Sequence, residues 1–315
     1  MKFISKHASL GAIVRVFSLL LATMCILMPA GTRAQGSSAP ERKGTVIVTD
    51  RSGVRVHTYI APADGWLVNT QIVEGPTKLI IFDAQLLNPY AEEVAAYATS
   101  LGKPVDRIII SHGHPDHWAG LEVLTRHFPD APVYSLAGAA AFINEKGEYL
   151  LTNIVRKNYG DLAASRVVAP TKVLTPGKTT IDGVEFNFRE FLDAESDYQL
   201  VALMPKQRVL LAFDIVFSPN DFAFTVAPFF DHWVTVLQSL KGIKGYDRII
   251  IGHDAPTDAK AIDATIKYVQ TAGRIYAASA DAKTYVQGIK AAFPDRQQPG
   301  WVEFSSSLLY SVPKK

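Results

Sequence analysis

What most constrains this chain is the stretch at the end of one apolar run. Arg107-Ile108-Ile109-Ile110 reads as a buried strand, and Ser111-His112-Gly113-His114-Pro115-Asp116-His117 follows it at once. Gly113 and Pro115 turn the chain sharply, so three imidazoles and a carboxylate collect at the strand's C-terminal edge. Histidine nitrogens and an aspartate oxygen at that density suit a divalent cation such as zinc. A solvated polar turn is the plainer reading, but it gives no reason for this composition.

The pattern returns far downstream. Asp106-Arg107-Ile108-Ile109-Ile110-Ser111-His112 is echoed by Asp247-Arg248-Ile249-Ile250-Ile251-Gly252-His253. Each copy is an apolar strand that delivers a histidine just past its last residue. Two related halves facing one another would produce the echo, with their strand ends meeting at a shared site. Coincidence between Ile-rich buried strands would produce it too.

The 315 residues are enough for one large domain or two small ones with a sizeable core. Lys2, Lys6 and Arg15 precede an apolar run from Val16 to Ala30, and Thr32-Arg33-Ala34 supplies small residues for cleavage. Residues 1–34 therefore read as a secretory signal peptide, placing the mature protein in the periplasm or outside the cell. An uncleaved anchor is the alternative, for which the apolar run is short. The leader holds four of the 32 basic residues and no acid, leaving 28 basic against 30 acidic. Such balance makes no electrostatic case for nucleic acid, and nothing after the leader asks for a membrane. The one cysteine, Cys25, also lies in the leader, after Met24 rather than the small residue a lipoprotein site wants. Without it the mature chain has no disulfide, no thiolate ligand and no thiol nucleophile.

Residues 35–44 read as a flexible lead-in and 45–315 as one domain. Strand signals run over Thr45–Val48, Val54–Ile60, Trp66–Val73 and Leu79–Phe82, with turns at Arg51-Ser52-Gly53 and Glu74-Gly75-Pro76. Asn88 to Leu101 has helical spacing, as has about Ala119 to Phe128 beyond the histidine turn. A helical insertion is expected near 136–162. Strands return at Val184–Arg189, Leu200–Met204, Val209–Phe213 and Arg248–Ile251. Helices are expected over Trp233–Leu240 and from Asp258 to about Phe293, the latter broken near Ala280-Asp281.

His112, His114, Asp116 and His117, with Asp214 and His253 at later strand ends, resemble the metallo-β-lactamase superfamily. Its signature is a His-x-His-x-Asp-His turn, an Asp after a later strand and a final His after another. The resemblance spans roughly residues 45 to 255, and Asp83 fits a recurrent strand-end Asp of the family. It implies an α/β fold, an αββα sandwich of two mixed β-sheets flanked by helices, with metals in a cleft at one edge. His112 and His114 would hold a first metal, and Asp116, His117 and His253 a second, with Asp214 bridging. Two zinc ions are the expected cofactors, with one ion, or iron or manganese, as alternatives.

One position departs from the family. Where it places a third histidine for the first metal, before the strand leading to the bridging Asp, this chain has Glu195. Glu195 could ligate as a carboxylate, with Asp193 as fallback. It could leave the first site weak, so that one metal does the work. Or the site could be non-catalytic and the fold kept for binding. As a ligand, Glu195 makes the site less positive, which favours neutral or weakly charged small-molecule substrates over phosphodiesters.

The resemblance then implies an exported metal-dependent hydrolase that attacks an ester, lactone or amide bond with a metal-activated water. Asp116 is placed to orient that water or pass on its proton. The absent cysteine argues against the lactamase subclass with a Cys ligand. Lactonases, glyoxalase-like thioesterases, cysteine-free lactamases and iron-dependent relatives remain; a mono-iron, oxygen-using enzyme is the oxidoreductase alternative. Phe217, Phe222, Phe224, Phe229, Phe230 and Trp233 follow Asp214 closely. They could wall a substrate pocket, though core packing is the commoner use of such a cluster. Tyr198 could hydrogen-bond a substrate carbonyl or cap its loop, and His232 could act as a base or be structural.

Overall fold

Hairpin chemistry sets up the first sheet. In the computed structural model, which describes residues 43–311, Ser52 and Gly53 both take positive φ (50° and 74°). That two-residue turn suits the twist of a hairpin and joins β1 (Thr45–Arg51) to β2 (Val54–Ile60) in antiparallel register. β3 (Asn69–Glu74) and β4 (Leu79–Phe82) continue antiparallel. Helix α1 (Asn88–Ser100) then carries the chain over to β5 (Val105–Ile110), which is parallel to β4. Two more parallel strands, β6 (Val133–Ser135) and β7 (Lys172–Val173), complete a seven-stranded sheet in sequence order.

The second sheet has the order β12-β11-β10-β9-β8, formed by β8 (Gly177–Ile181), β9 (Val184–Leu192), β10 (Tyr198–Met204), β11 (Val209–Phe213) and β12 (Arg248–Ile251). β11 and β12 are parallel, joined through a helix over Phe230–Gly242. The helices in chain order are α2 (Pro115–Trp118), α3 (Leu121–His127), α4 (Ala137–Leu150), α5 (Lys157–Tyr159), α6 (Phe230–Gly242), α7 (Lys260–Ala278), α8 (Ala282–Ala292) and α9 (Pro299–Leu309). A π-helical stretch, Leu151–Arg156, bridges α4 and α5.

Uninterrupted isoleucine runs make sense only in strands buried on both faces. Ile109 and Ile250 point between the sheets, packing with Phe82, Phe186, Phe188 and Phe213. Ile108 and Ile110 face the helices α1 and α3 on one outside, and Ile249 and Ile251 face α6 and α7 on the other. Two mixed sheets with helices on both outer faces thus form the expected αββα sandwich.

The sheets are tied at both ends. At the end where β4 begins, Asp182 of the β8–β9 turn accepts from the backbone N–H of Thr77 and Lys78 at 2.7 Å each. At the other end, Leu200 N–H donates to the Ser111 carbonyl (3.0 Å) and Asn69 N–H donates to the Gly252 carbonyl (2.7 Å).

Several expectations need correcting. The strand expected from Trp66 starts only at Asn69, because Ala63–Gly65 is a 3-10 turn and Trp66 and Leu67 lie in the left-handed region. The last long helix begins at Lys260 rather than Asp258, but it breaks where expected, with the Asp281 side chain capping α8 at the Thr284 N–H. β7, β8 and α9 were not anticipated: the short strands are largely exposed and carry little apolar pattern. The leader and most of the lead-in lie outside the described residues. Among the described residues no helix is long and apolar enough to cross a membrane.

One buried ion cluster stiffens the first sheet away from the histidine turn. Glu74 accepts from Arg55 (2.6 Å), Lys103 (2.9 Å) and His57 (3.0 Å), while the other His57 nitrogen meets the Tyr97 hydroxyl at 2.8 Å. Burial pushes the Glu74 carboxyl up, but Arg55, Lys103 and His57 outweigh it and hold it down at about 2. A carboxyl depressed on folding stabilises above its unfolded value and loses that contribution as pH falls through the folded one. Glu74→Gln should therefore cost about 2 kcal/mol at pH 7, less than a fully buried pair because Arg55 and Lys103 are partly solvated. In urea denaturation the gap to the parent should narrow from about pH 4.5 down to about 2.

Candidate metal centre

Three of the four imidazoles at the rim are oriented by a hydrogen bond on the far side of the ring. Asp83, held at a φ of 62° just past β4, accepts from the Ser111 backbone N–H (2.8 Å) and hydroxyl (2.8 Å). With its hydroxyl proton donated to Asp83 in a hydrogen bond, the Ser111 oxygen is left to accept from His112 Nδ1–H at 2.9 Å. His117 Nδ1–H donates to the same Asp83 carboxylate (2.9 Å), and His253 Nδ1–H donates to the Trp66 carbonyl (2.8 Å). A carboxylate and a carbonyl can only accept, so the tautomers follow. Each of the three rings keeps its proton at Nδ1 and turns Nε2 inward, the nitrogen that could bind a cation in place of a proton. Such outer partners fix ring orientation at metal sites.

The turn itself is pinned from behind. Trp118 Nε1–H donates to the Gly113 carbonyl (2.9 Å). A side chain at Gly113 would strike the Phe142 ring, 2.6 Å from an added Cβ. His114 then caps α2, with Pro115 at the first helical position, where its missing N–H costs nothing.

Asp214 reaches the rim by a backbone irregularity. The β11–β12 register shifts between Leu211 and Phe213, and Phe213 takes a φ of 46°. The carboxylate passes over Gly252, where an added Cβ would lie 1.7 Å from Asp214 Oδ1. Glu195 sits in the tight β9–β10 loop, closed by Asp193 N–H to the Asp197 carbonyl (3.2 Å) and Ala194 N–H to the Ser196 carbonyl (3.1 Å). It is buried and accepts from Gln199 Nε2 at 2.7 Å.

These elements converge on two overlapping donor groups. His112, His114, Glu195 and Asp214 each offer an atom within 4.8 Å of the others, and so do Asp116, His117, Asp214 and His253. In the first group His114 Nδ1 lies 3.2 Å from Glu195 Oε1, and His112 Nε2 lies 3.8 Å from both Glu195 Oε2 and Asp214 Oδ2. In the second, His117 Nε2 is 3.3 Å from Asp116 and from Asp214, and His253 Nε2 is 3.3 Å and 3.1 Å from the same two. Asp214 is the member common to both.

The donor set fits divalent cations. His117 Nε2, Glu195 Oε1 and Asp214 Oδ1 are buried and make no hydrogen bond, although Asp214 Oδ2 lies 3.3 Å from His117 Nε2 and His114 Nδ1 lies 3.2 Å from Glu195 Oε1. Buried polar atoms left over in this way need a partner, and lone pairs aimed at common points describe coordination better than pairing. Burial opposes charge on every group in the cluster. Despite it, Asp214 and Asp116 hold His253 up at about 10, and Glu195 holds His114 up at about 9. Asp214, Asp116 and Asp83 likewise raise His117 well above its ordinary value. Burial, with His117 adding to it, sends His112 well below. Burial also raises Glu195, whereas His117 and His253 overcome it to depress Asp214 and Asp116.

The other candidates contribute no donor atom to this cluster. Asp193 is exposed at a φ of 48° and contributes only its carbonyl, to His232 Nδ1–H at 3.1 Å. His232, exposed on α6, belongs to neither donor group. Tyr198 opens β10 with its ring against Gly138, where an added Cβ would lie 2.2 Å away. Phe224 is buried, stacks on Trp301 at 4.9 Å and meets the His253 ring at 5.3 Å. Ser111, Gly252, Gln199, Trp66 and Trp301 were not singled out beforehand. Ser111 was discoverable as a hydroxyl beside the first histidine; Trp301 left no signal, being almost 50 residues beyond His253.

A methyl group at Gly252 must displace the Asp214 carboxylate. Gly252→Ala should therefore lower the affinity for divalent metal at least tenfold, read by elemental analysis after dialysis, with far-UV circular dichroism retained.

A family model described as the metallo-beta-lactamase superfamily matches residues 63–253, well over half of the chain. The chain is 28% identical over 172 residues to the alkyl/aryl-sulfatase BDS1 of Saccharomyces cerevisiae, covering 45% of this chain. It is 33% identical over 84 residues to the uncharacterized protein YobT of Bacillus subtilis, covering 27% of this chain. These matches span only 27% and 32% of those proteins' own length. Among solved structures, a metallo-beta-lactamase from Pontibacter korlensis superposes with a TM-score of 0.56 at 18% identity, over 72% of this chain and 99% of that one. FIM-1 from Pseudomonas aeruginosa, in its mono-zinc form, gives 0.56 at 16% identity, over 75% and 99%. On the extent of the family match, and with the sandwich in place, the chain belongs to the metallo-β-lactamase superfamily.

Proposed function

We propose that this protein is an exported, metal-dependent hydrolase of ester-type bonds in small, neutral or weakly charged molecules. The observation that carries the reading is the pair of donor groups sharing Asp214, each with two imidazoles and two carboxylates. His112, His114 and Glu195 would hold one cation, Asp116, His117 and His253 the other, and Asp214 both. Bound there, divalent cations supply Lewis acidity for an acyl oxygen and lower the pKa of water.

The chain's own residues do the rest. Asp83 and Ser111 keep His112 and His117 in the tautomer that presents Nε2 inward. Asp116, buried and held ionised against His117 and His253, can accept a hydrogen bond from water and release the proton to a departing oxygen. No side-chain nucleophile is required, in keeping with a mature region that has no cysteine.

Glu195 bears on both cofactor and substrate. Two divalent cations facing three carboxylates leave one positive charge fewer than a third histidine would, and less pull on anions. Glu195→Ala should lose one metal equivalent by elemental analysis, and Glu195→His should regain it. Equal metal content in all three proteins would exclude Glu195 as a ligand.

A second reading comes from the yeast match, a protein named as an alkyl/aryl-sulfatase. Sulfate monoesters carry one charge, so a panel of aryl acetate, lactone, nitrocefin, aryl sulfate and bis-aryl phosphate separates the two. Carboxylic ester or lactone turnover at least tenfold above sulfate ester turnover is the expected result; the reverse order would move the assignment to sulfate esters.

A further inference from the structure

Three aromatic side chains from remote parts of the chain meet beside one end of the donor cluster. Trp66 follows the 3-10 turn after β2, Tyr159 ends α5 within the helical insertion, and Phe304 lies on α9. The Trp66 ring is 4.9 Å from Phe304 and makes a T-shaped contact with Tyr159 at 6.3 Å. All three are half-buried. The large aromatics packed into the core, such as Trp233 and Tyr90, are sealed off almost completely.

The trio is attached to the cluster at its Asp116–His253 end. The Trp66 carbonyl holds His253 Nδ1–H at 2.8 Å, and the Trp66 ring lies 5.5 Å from Phe224, itself 5.3 Å from the His253 ring. Tyr159 is within electrostatic reach of Asp116. Trp66 and the following Leu67 take φ values of 62° and 54°, an uncommon conformation for bulky side chains that persists where surrounding structure imposes it. The strained turn puts the carbonyl under His253 and leaves the ring half-buried between Phe304 and Tyr159.

We propose that Trp66, Tyr159 and Phe304 form a wall that receives the alkyl or aryl part of the substrate while its ester group faces the donor cluster. This rests on the hydrolase reading and gives it a substrate class: esters of apolar acids or alcohols. Half-buried aromatic rings favour a carbon-rich group, and Asp64 and Asp116, both within electrostatic reach of Tyr159, disfavour an anionic one. Because the wall covers one side of such a group only, each added methylene should raise kcat/KM roughly twofold, about half the effect of full burial.

The test uses the metal-loaded protein and p-nitrophenyl esters from acetate to decanoate. The decanoate-to-acetate ratio of kcat/KM should fall about tenfold in Phe304→Ala and Tyr159→Ala, and less in Phe304→Leu, which keeps an apolar side chain. Tyr149→Ala, exposed on α4, should leave the ratio as it is. A second readout needs no turnover: octan-1-ol should quench tryptophan fluorescence saturably, with affinity at least fivefold weaker in Phe304→Ala. A flat chain-length series, with octanol binding indifferent to Phe304 and Tyr159, would overturn the wall and leave the hydrolase reading standing. Octanol binding that depends on those residues, with no ester hydrolysed, would keep the wall and remove the hydrolase.

Discussion

The structure depends on keeping three carboxylates and four imidazoles out of water in one small volume. Glu195, Asp116, Asp214, His112, His117 and His253 are all buried; of the cluster only His114 keeps appreciable side-chain exposure, at 22%. Desolvation on that scale is tolerated only with compensating charge. Pairing among the residues supplies part of it and leaves His117 Nε2, Glu195 Oε1 and Asp214 Oδ1 without hydrogen bonds. Protons on His114, His117 and His253 supply another part, which is why those imidazoles move upward. Cations would take the same places, so metal uptake and proton release are two sides of one equilibrium.

The sandwich exists in its present form to hold that rim closed. Each isoleucine strand hands the carbonyl of its next residue to the opposite sheet: Ser111 to Leu200, and Gly252 to Asn69. The echo between residues 106–112 and 247–253 therefore has a structural counterpart in how the two sheets are stitched. The one residue that differs between the copies also has a reason. Ser111 needs its hydroxyl to relay Asp83 to His112, while Gly252 can have no side chain because Asp214 lies over it.

Residues that close the sandwich were legible wherever an apolar run ended in a polar side chain. Asp83, the histidine turn, Asp214 and His253 all sit within two residues of a strand's C-terminal end, so the end of each apolar run locates them along the chain. Glu195 was findable only by counting back from Leu200, because its loop has no apolar frame of its own. Trp66 was hidden by its neighbours: Trp66, Leu67 and Val68 read as strand, and nothing local announces two consecutive left-handed residues. Trp301 and Phe304 were hidden for a different reason. They reach His253 and Trp66 through tertiary packing of the last helix, which has no signature within the helix itself.

The two ends of the site consequently differ in dielectric character. Around His253 the shell is aromatic, with Trp301 at 5.1 Å, Phe224 at 5.3 Å and a stacked Phe217 at 6.0 Å. Around Glu195 it is polar, with Gln199 bonded to the carboxylate and part-exposed His114 beside it. Electrostatic interactions strengthen where water is excluded, so the Asp116–His253 end is where a fixed charge acts most strongly on a bound group. Solvent reaches the cluster most easily at His114. Water entering from the polar end and a carbon-rich group seated at the aromatic end would meet across Asp214.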